Sequence, residues 1–220
     1  MVKRSVLLTL VVIFVIFCLV SCGEKNREYD EQEVTLAAKS LIESSAILNE
    51  LYYGYGIAYD ITATNPSSDG YCIADFLSVK SFGIETVDDI KEMTRQCFSQ
   101  ELSNLVIGTK LSSVSDGTGI VGYARYYQKY NALDNSPECI MVFKKADVLL
   151  TDKIVYDYNS VKALRSEGEH VIVSVNLTVT NKEGISQNQT LEVKLIEEAS
   201  GWRLDSPTYA RFISEKTTMN

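Results

Sequence analysis

Residues 169–180, EHVIVSVNLTVT, alternate apolar and polar side chains over almost their whole length. The apolar set on one side of this alternation is Val171, Val173, Val175, Leu177 and Val179. Successive side chains of a β-strand point to opposite faces of its sheet, so a period of two places this set on a single face. The stretch therefore predicts a strand with one face buried in the core.

Other segments with strand character lie on both sides of this stretch. In chain order the strand segments are residues 120–130, 139–144, 153–165, 169–180, 187–198 and 202–204. Turn residues separate the last four of them, at Glu167-Gly168, at residues 181–184 and at Ser200-Gly201. Short connections between strands are typical of antiparallel hairpins. We therefore expect a meander of four or more antiparallel strands in the C-terminal half.

The N-terminal half has the periodicity of helices instead. Residues 33–53 carry small and apolar side chains along one stripe with charged residues between them, and Gly54 ends the pattern. Thr86 predicts the N-cap of a second helix, and Ser99 the N-cap of a short continuation that stops at Gly108. Helices followed by a meander predict an α+β fold, with N-terminal helices packed on a curved antiparallel C-terminal sheet.

Residues 52–76, between the two helical regions, follow neither period. They are rich in tyrosine and glycine, and Asn65-Pro-Ser-Ser-Asp-Gly70 predicts a loop within them. We interpret this segment as irregular or hairpin-like, and as an elaboration of the fold rather than a core element.

The N-terminus has the layout of a secretory signal. Lys3 and Arg4 precede an apolar run over residues 6–20, which is shorter than the about 20 residues that a membrane-spanning helix needs. Residues 19–22, LVSC, resemble the bacterial lipobox, in which a cysteine is diacylated and becomes the new N-terminus. The resemblance implies lipidation of Cys22. Two acyl chains anchor a protein stably, so we expect an extracytoplasmic protein held on the cell membrane.

These predictions divide the chain into four parts: a signal peptide (1–21), the lipidated cysteine with a flexible tether (22–33), a single α+β domain (34–209) and a tail (210–220). The whole chain has 21 Lys and Arg against 29 Asp and Glu, a net charge of −8. Cleavage of residues 1–21 removes Lys3 and Arg4, which brings the charge to about −10. An acidic surface argues against nucleic acid as a partner.

Three further cysteines belong to the predicted domain. Cys97 lies on an apolar helix face and Cys139 opens an apolar strand, which is typical of buried thiols. Three thiols cannot all pair within one chain, so they form no disulfide framework. A single bridge, from Cys72 to Cys97 or from Cys72 to Cys139, stays open in an oxidising compartment.

The last two strands carry a family resemblance. Residues 191–207, LEVKLIEEASGWRLDSP, form an acidic turn followed by Gly-Trp-Arg-Leu. Together with the preceding helices, this hairpin resembles the nuclear transport factor 2-like (cystatin-like) cone fold, over most of residues 33–207. The resemblance implies a cone-like sheet closed by helices.

A second resemblance is narrower. Residues 89–107, DIKEMTRQCFSQELSNLVI, followed by Asp116-Gly-Thr-Gly and Gly201-Trp-Arg, resemble the extracytoplasmic DL-endopeptidase inhibitor family of Gram-positive bacteria. This resemblance implies a protein that restrains a cell-wall hydrolase. The tyrosine-rich segment 52–76 has no counterpart in that family's pattern.

Catalytic chemistry has few candidates in this sequence. His170 is the only histidine, and it lies on the strand face opposite Val171, where we expect it to face solvent. The chain has no zinc-binding, nucleophile-elbow or phosphate-loop motif, so we expect no metal, no cofactor and no enzymatic activity. The remaining catalytic alternative is acid–base chemistry by aspartates and tyrosines, which some cone-fold enzymes use. Its candidate residues are Asp147, Asp152, Asp157, Tyr156 and Tyr158.

Tyrosine is the residue in excess, with 13 in the chain. Tyrosine combines apolar area with a polar tip, which suits binding surfaces. The predicted binding residues are Tyr52, Tyr53, Tyr55, Tyr59 and Tyr71. We expect a non-enzymatic module that binds an extracytoplasmic protein through segment 52–76, with two alternatives: a small-ligand pocket inside the cone, or an Asp/Tyr enzyme of the same fold. A filled cone with exposed Tyr residues favours the first, and internal polar groups facing a deep apolar cavity favour the others.

Overall fold

The computed structural model describes residues 28–60, 70–115, 120–211 and 213. Its helices are α1 (Glu31–Tyr53), α2 (Phe76–Ser81), α3 (Val87–Cys97) and α4 (Gln100–Lys110). Its strands are β1 (Tyr71–Ile73), β2 (Val114–Ser115), β3 (Ile120–Gly122), β4 (Tyr126–Tyr130), β5 (Pro137–Phe143), β6 (Lys153–Glu167), β7 (His170–Thr180), β8 (Ser186–Glu198) and β9 (Gly201–Leu204).

The predicted meander is present as a four-stranded antiparallel sheet in the order β6-β7-β8-β9. One of its two inner strands, β7, pairs with β6 and β8, with Val173 opposite Ala163 on one side and Val193 on the other. Val171, Val173 and Val175 are fully buried, as their alternation predicts. Burying such a side chain contributes about 1.5–3 kcal/mol, so this face is the main source of stability for the sheet.

Helix α1 covers that buried face. Asp30 is its N-cap and accepts hydrogen bonds from the backbone N–H groups of Gln32 and Glu33, so the helix begins two residues before the predicted start. Its buried stripe is Val34, Ala38, Ile42, Leu48 and Leu51. These residues belong to the same apolar cluster as the buried valines of β7. The α+β prediction of N-terminal helices packed on an antiparallel sheet is therefore confirmed.

Helices α3 and α4 meet at the predicted break. Thr86 and Asp89 form a capping box at the start of α3, and Ser99 caps α4 by accepting from the N–H of Leu102. The backbone N–H of Ser99 also donates to the carbonyl of Leu204 at 2.8 Å, which ties the break to β9. The predicted stop at Gly108 is wrong: α4 continues to Lys110. An isolated glycine costs a helix about 1 kcal/mol but does not by itself end it, and here Thr109 and Lys110 follow before the helix ends.

A second, three-stranded sheet has the order β1-β5-β4. The interpretation of residues 52–76 as an elaboration is wrong for Tyr71–Ile73, because this short strand pairs with β5 and Tyr71 and Cys72 are buried. The predicted strand over 120–130 is two strands, since β3 pairs with β2 and β4 pairs with β5. Helix α2 was not expected.

The first strand of the four-stranded sheet is bent. Asp157 pairs with Asn176, whereas Lys162 pairs with Ser174, so β6 carries three extra residues between these two pairs. The Ser160 hydroxyl fills the gap, donating to the carbonyl of Asp157 and accepting from the N–H of Asn176 at 2.7 Å. A bulge of this kind bends the strand and increases its twist. The curved sheet under its helices is consistent with a cone-like fold.

Several predicted features lie outside the described residues. They are the signal segment 1–21, Cys22 with the first part of the tether, most of the loop at 65–70, Asp116-Gly-Thr-Gly and most of the tail. Within the part of the chain that is described, no helix combines the length and the apolar character needed to cross a membrane.

Candidate functional site

The five predicted binding tyrosines do not share one surface. Tyr52 is 1% exposed and its hydroxyl lies 2.6 Å from Thr94 Oγ1, while Tyr71 is 4% exposed and donates to the carbonyl of Ala124. Tyr53 and Tyr59 are half-buried, and only Tyr55, at 68%, is exposed. Tyr52 and Tyr71 therefore cannot contact a partner in this fold, and the binding prediction for those two is corrected.

Tyr55 faces solvent because the chain makes a tight turn after α1. The Glu50 carboxylate accepts from the N–H groups of Tyr55 and Gly56, at 2.9 and 3.3 Å, and holds the turn together. Gly56 has a φ of +65°, and a Cβ there would clash with the hydroxyl of Tyr126. Only glycine combines this backbone conformation with so close an approach.

The segment after this turn is bound to the start of α2. The Ala58 carbonyl accepts from the Asp75 N–H at 2.8 Å, and the Ala58 N–H donates to Ser78 Oγ at 2.8 Å. Asp75 caps α2, its carboxylate accepting from the N–H of Ser78 at 2.7 Å. The backbone of this region is thus well hydrogen-bonded, although none of the α2 side chains is buried.

Two adjacent apolar side chains project from the first turn of α2. Phe76 is 70% exposed and Leu77 is 72% exposed. Phe76 also borders a groove of about 500 Å³ whose floor is largely apolar, with Ile73, Val79, Ile84 and Ile140 among its lining residues. Lys80, Glu85 and Glu138 line the same groove and bring charge to it. We call Phe76, Leu77 and this groove the α2 surface.

Sequence reasoning missed both of these residues. The stretch Asp75-Phe-Leu-Ser contains an N-cap residue followed by two apolar residues, which is a helix-start signal. A helix of six residues is too short to show a complete apolar stripe, so its exposed side could not be read from the sequence.

His170 is part of a structural network. Its Nε2 lies 2.7 Å from Asp205 Oδ2, and Ser99 Oγ donates to Asp205 Oδ1 at 2.5 Å. A nucleophilic triad needs the serine on the histidine, whereas here the carboxylate lies between them. The His170 side chain is 29% exposed, so the expectation of a freely solvent-facing residue is corrected. The network joins β7, the N-cap of α4 and the chain after β9.

The aspartates and tyrosines of the acid–base alternative are largely apart. Asp157 is exposed, on the face opposite Tyr156, while Tyr156 and Tyr158 stack with ring centroids 5.9 Å apart. Asp152 and Tyr156 line one small cavity of about 190 Å³. The Tyr156 hydroxyl donates to the carbonyl of Thr208, and burial raises its pKa to about 12. A phenol with this pKa is poorly matched to proton transfer near neutral pH.

The three cysteines of the fold are free thiols. Neither bridge left open by the sequence, Cys72 to Cys97 or Cys72 to Cys139, is formed. Cys97 is 1% exposed and burial raises its pKa to about 12, which makes it unreactive. Among the described residues, no three His, Cys, Asp or Glu side chains lie together in a way that could hold a metal ion.

Comparisons with known proteins gave no match for this chain. No protein-family model matches the chain, and neither the curated proteins nor the solved structures contain a significant match. The two family resemblances carried by residues 191–207 and 89–107 thus stay predictions.

Proposed function

We propose that this chain is a lipid-anchored, extracytoplasmic, non-enzymatic binding protein that docks another protein on its α2 surface. The observation that carries the proposal is the exposure of Phe76 and Leu77, two adjacent apolar side chains next to an apolar groove. The lipid-anchored, extracytoplasmic location in this proposal rests on the lipobox-like sequence that ends at Cys22. The preferred partner is a cell-wall hydrolase, which the resemblance of residues 89–107 implies.

The filled interior favours a protein partner over a small ligand inside the cone. The largest fully buried side chains, Tyr52, Tyr126, Ile42, Leu48 and Leu195 among them, occupy the space between helices and sheet. Among the described residues, no buried side-chain nitrogen or oxygen lacks a hydrogen-bond partner. A ligand pocket usually presents a few convergent polar groups that await a ligand.

The α2 surface has the composition of a binding hot spot. Burying Phe76 and Leu77 in a partner would contribute about 1.5–3 kcal/mol each, which is enough to dominate an interface of modest size. The charges of Lys80, Glu85 and Glu138 at the groove would govern orientation and rate of association more than affinity. Because α2 is fixed to the chain by Asp75 and Ser78, it loses little conformational entropy on binding.

Occlusion is the mechanism that fits this geometry. A short, rigid helix with a bulky aromatic residue at its first position can enter the cleft of a hydrolase and exclude its substrate. Tyr55, which lies in the turn just before the segment bound to α2, would supply a third apolar anchor. The residues between Cys22 and the start of α1 would act as the tether that holds this surface near the membrane.

The test is a pull-down from the host's cell-surface extract with residues 24–220 as bait, followed by mass spectrometry. We expect a wall hydrolase to bind the wild-type bait and to be lost with the double variant Phe76→Ala/Leu77→Ala. Leu105→Ala is the matched control, since Leu105 is also 60% exposed but lies on α4. The purified bait should then inhibit that hydrolase.

Two results would contradict the proposal. One is that no protein is enriched over bare beads, and the other is that the double variant and the Leu105 control recover the same proteins. The anchor is tested separately, by metabolic labelling with a fatty-acid analogue: label on the wild type that is lost in Cys22→Ala is expected.

A further inference from the structure

A second concave site lies at the C-terminal end of α4 and shares no lining residue with the groove of the α2 surface. It is a cavity of about 340 Å³ between that helix end, the residues before β4 and the chain that follows β5. Three cationic side chains line it, Lys110, Arg125 and Lys145, against one carboxylate, Asp147. The cavity therefore has a positive balance on a chain whose net charge is −8.

Arg125 brings a buried charge to this cavity. It is 6% exposed, and its guanidinium donates to the carbonyls of Tyr52, Gly54 and Asp147 and to the Tyr126 hydroxyl. All four acceptors are neutral groups, so they fix the orientation of the guanidinium without neutralising it. A buried charge without a counter-charge is unfavourable unless other interactions compensate it.

Lys110 is the second cation, in the last turn of α4. Its Nζ lies 4.9 Å from the ring centroid of Tyr53, so an aromatic face holds it in place. Burial and the neighbouring charge of Arg125 lower the pKa of Lys110, and Asp147 opposes that shift. Among the described residues, no carboxylate oxygen lies within 4.0 Å of a side-chain nitrogen of Lys110, Arg125 or Lys145.

Aromatic side chains also line this cavity. Tyr123 and Phe143 stack with ring centroids 4.7 Å apart and an interplanar angle of 16°. Two stacked rings present flat apolar area beside the cationic groups. The cavity thus offers positive charge and an apolar wall within a volume suited to a small molecule.

We propose that this cavity binds the carboxylate or phosphate group of a small anionic molecule. The ammonium groups of Lys110 and Lys145 would donate hydrogen bonds to the oxyanion. The buried guanidinium of Arg125 would add positive charge to the site. Such charge-assisted hydrogen bonds are about twice as strong as neutral ones. The anionic group could belong to a free metabolite or to the headgroup of a membrane lipid, which share this chemistry.

A purely structural role predicts a different behaviour. Lys110 lies at the C-terminus of α4 and Arg125 hydrogen-bonds the end of α1, and cations at these places also stabilise helix dipoles. In that case no anion would bind in the cavity. Replacing Lys110 and Lys145 would then leave the titration curves unchanged.

The experiment is an NMR titration of the purified mature protein, kept in a neutral detergent at pH 7 and low salt. The probes are inorganic phosphate, acetate and a short-chain phosphatidylglycerol, with short-chain phosphatidylcholine as the neutral lipid control. We expect saturable shifts at residues 109–110, 123–125 and 143–147. Lys110→Met/Lys145→Met should weaken binding by about tenfold or more, whereas Lys162→Met, an exposed lysine on β6, should leave it unchanged.

The pattern among the probes identifies the source of the anion. Saturable binding of phosphate or acetate supports a free small molecule, and binding of phosphatidylglycerol alone supports a lipid headgroup. Shifts that are linear in concentration and scattered over all lysines would overturn the proposal. An unchanged affinity in the double variant would also overturn the proposal. The double variant keeps Arg125 and its hydrogen bond to the end of α1, so that part of the structure is not altered.

Discussion

The helix-covered sheet and the region around α2 bury their apolar residues very differently, although both have well-hydrogen-bonded backbones. In the sheet, Val173 and Leu195 are 0% exposed, while in α2 Phe76 and Leu77 are at least 70% exposed. Lack of local structure does not explain the exposure, because the hydrogen bonds of Ala58 and Asp75 hold this region firmly. Stability accounts for the buried apolar residues of the first region, and we propose a binding role for Phe76 and Leu77 in the second.

Tyr52 and Tyr55, three residues apart, lie on the two sides of this boundary and give the largest expected effect. Tyr52→Ala should lower the free energy of unfolding by about 3–5 kcal/mol, because it removes a fully buried ring. Tyr55→Ala should change it by less than about 0.5 kcal/mol. Urea denaturation followed by circular dichroism measures both.

If Tyr52→Ala does not fold, Tyr52→Phe replaces it. Loss of the hydroxyl contact with Thr94 should then cost about 0.5–1.5 kcal/mol. If the substitutions at positions 52 and 55 lowered the free energy of unfolding equally, the distinction between the two regions would be contradicted.

Thr208 tests how the chain after the last strand closes the helix-covered sheet. Its side chain is fully buried and accepts from the Asn49 amide at 2.9 Å, with the Ser45 hydroxyl 2.6 Å away. Thr208→Val keeps the shape and removes the acceptor, so we expect a loss of about 1–3 kcal/mol. Thr190→Val, on the exposed face of β8, is the control and should change stability by less than about 0.5 kcal/mol. If Thr208→Val lowered the free energy of unfolding less than Thr190→Val does, the role of Thr208 in closing the sheet would be contradicted.

Asp89 gives the smallest effect, a pH dependence at the start of α3. Hydrogen bonds from the N–H groups of Glu85 and Thr86 hold the pKa of its carboxyl below its usual value. A carboxyl with a lowered pKa in the folded state stabilises the protein above its unfolded pKa of 3.8, and this contribution disappears as the pH falls through the folded value. Because the Asp89 carboxyl is largely open to solvent, screening limits its contribution to about 0.3–1 kcal/mol, which should be lost in Asp89→Asn. NMR titration of the carboxyl carbon measures the pKa, and a value at or above 3.8 would contradict the cap.

The part of the fold that follows a regular period could be predicted from the sequence. The alternation of residues 171–179 places β7, and Thr86 and Ser99 mark the starts of α3 and α4 at the right residues. Strand β1 could not be predicted, because three residues in a tyrosine-rich segment form a strand only through their pairing with β5.

The candidate site was less predictable, because exposure is a tertiary property. Tyr52 and Tyr55 look alike in the sequence, and only the end of α1 with the turn at Gly56 turns one inward and the other outward. Arg125 gives no sequence signal of its burial, since three of its four acceptors are backbone carbonyls far away in the chain. The exposed side of α2 is equally hidden, because a six-residue helix contains fewer than two turns.

The most direct test of the docking surface is photo-cross-linking in living host cells. A photoreactive phenylalanine analogue is incorporated at position 76 in one strain and at position 105, on α4, in another. We expect one defined protein adduct, identified as a wall hydrolase, from position 76 and none above background from position 105. An adduct of equal yield from both positions, or no adduct from position 76, would contradict it.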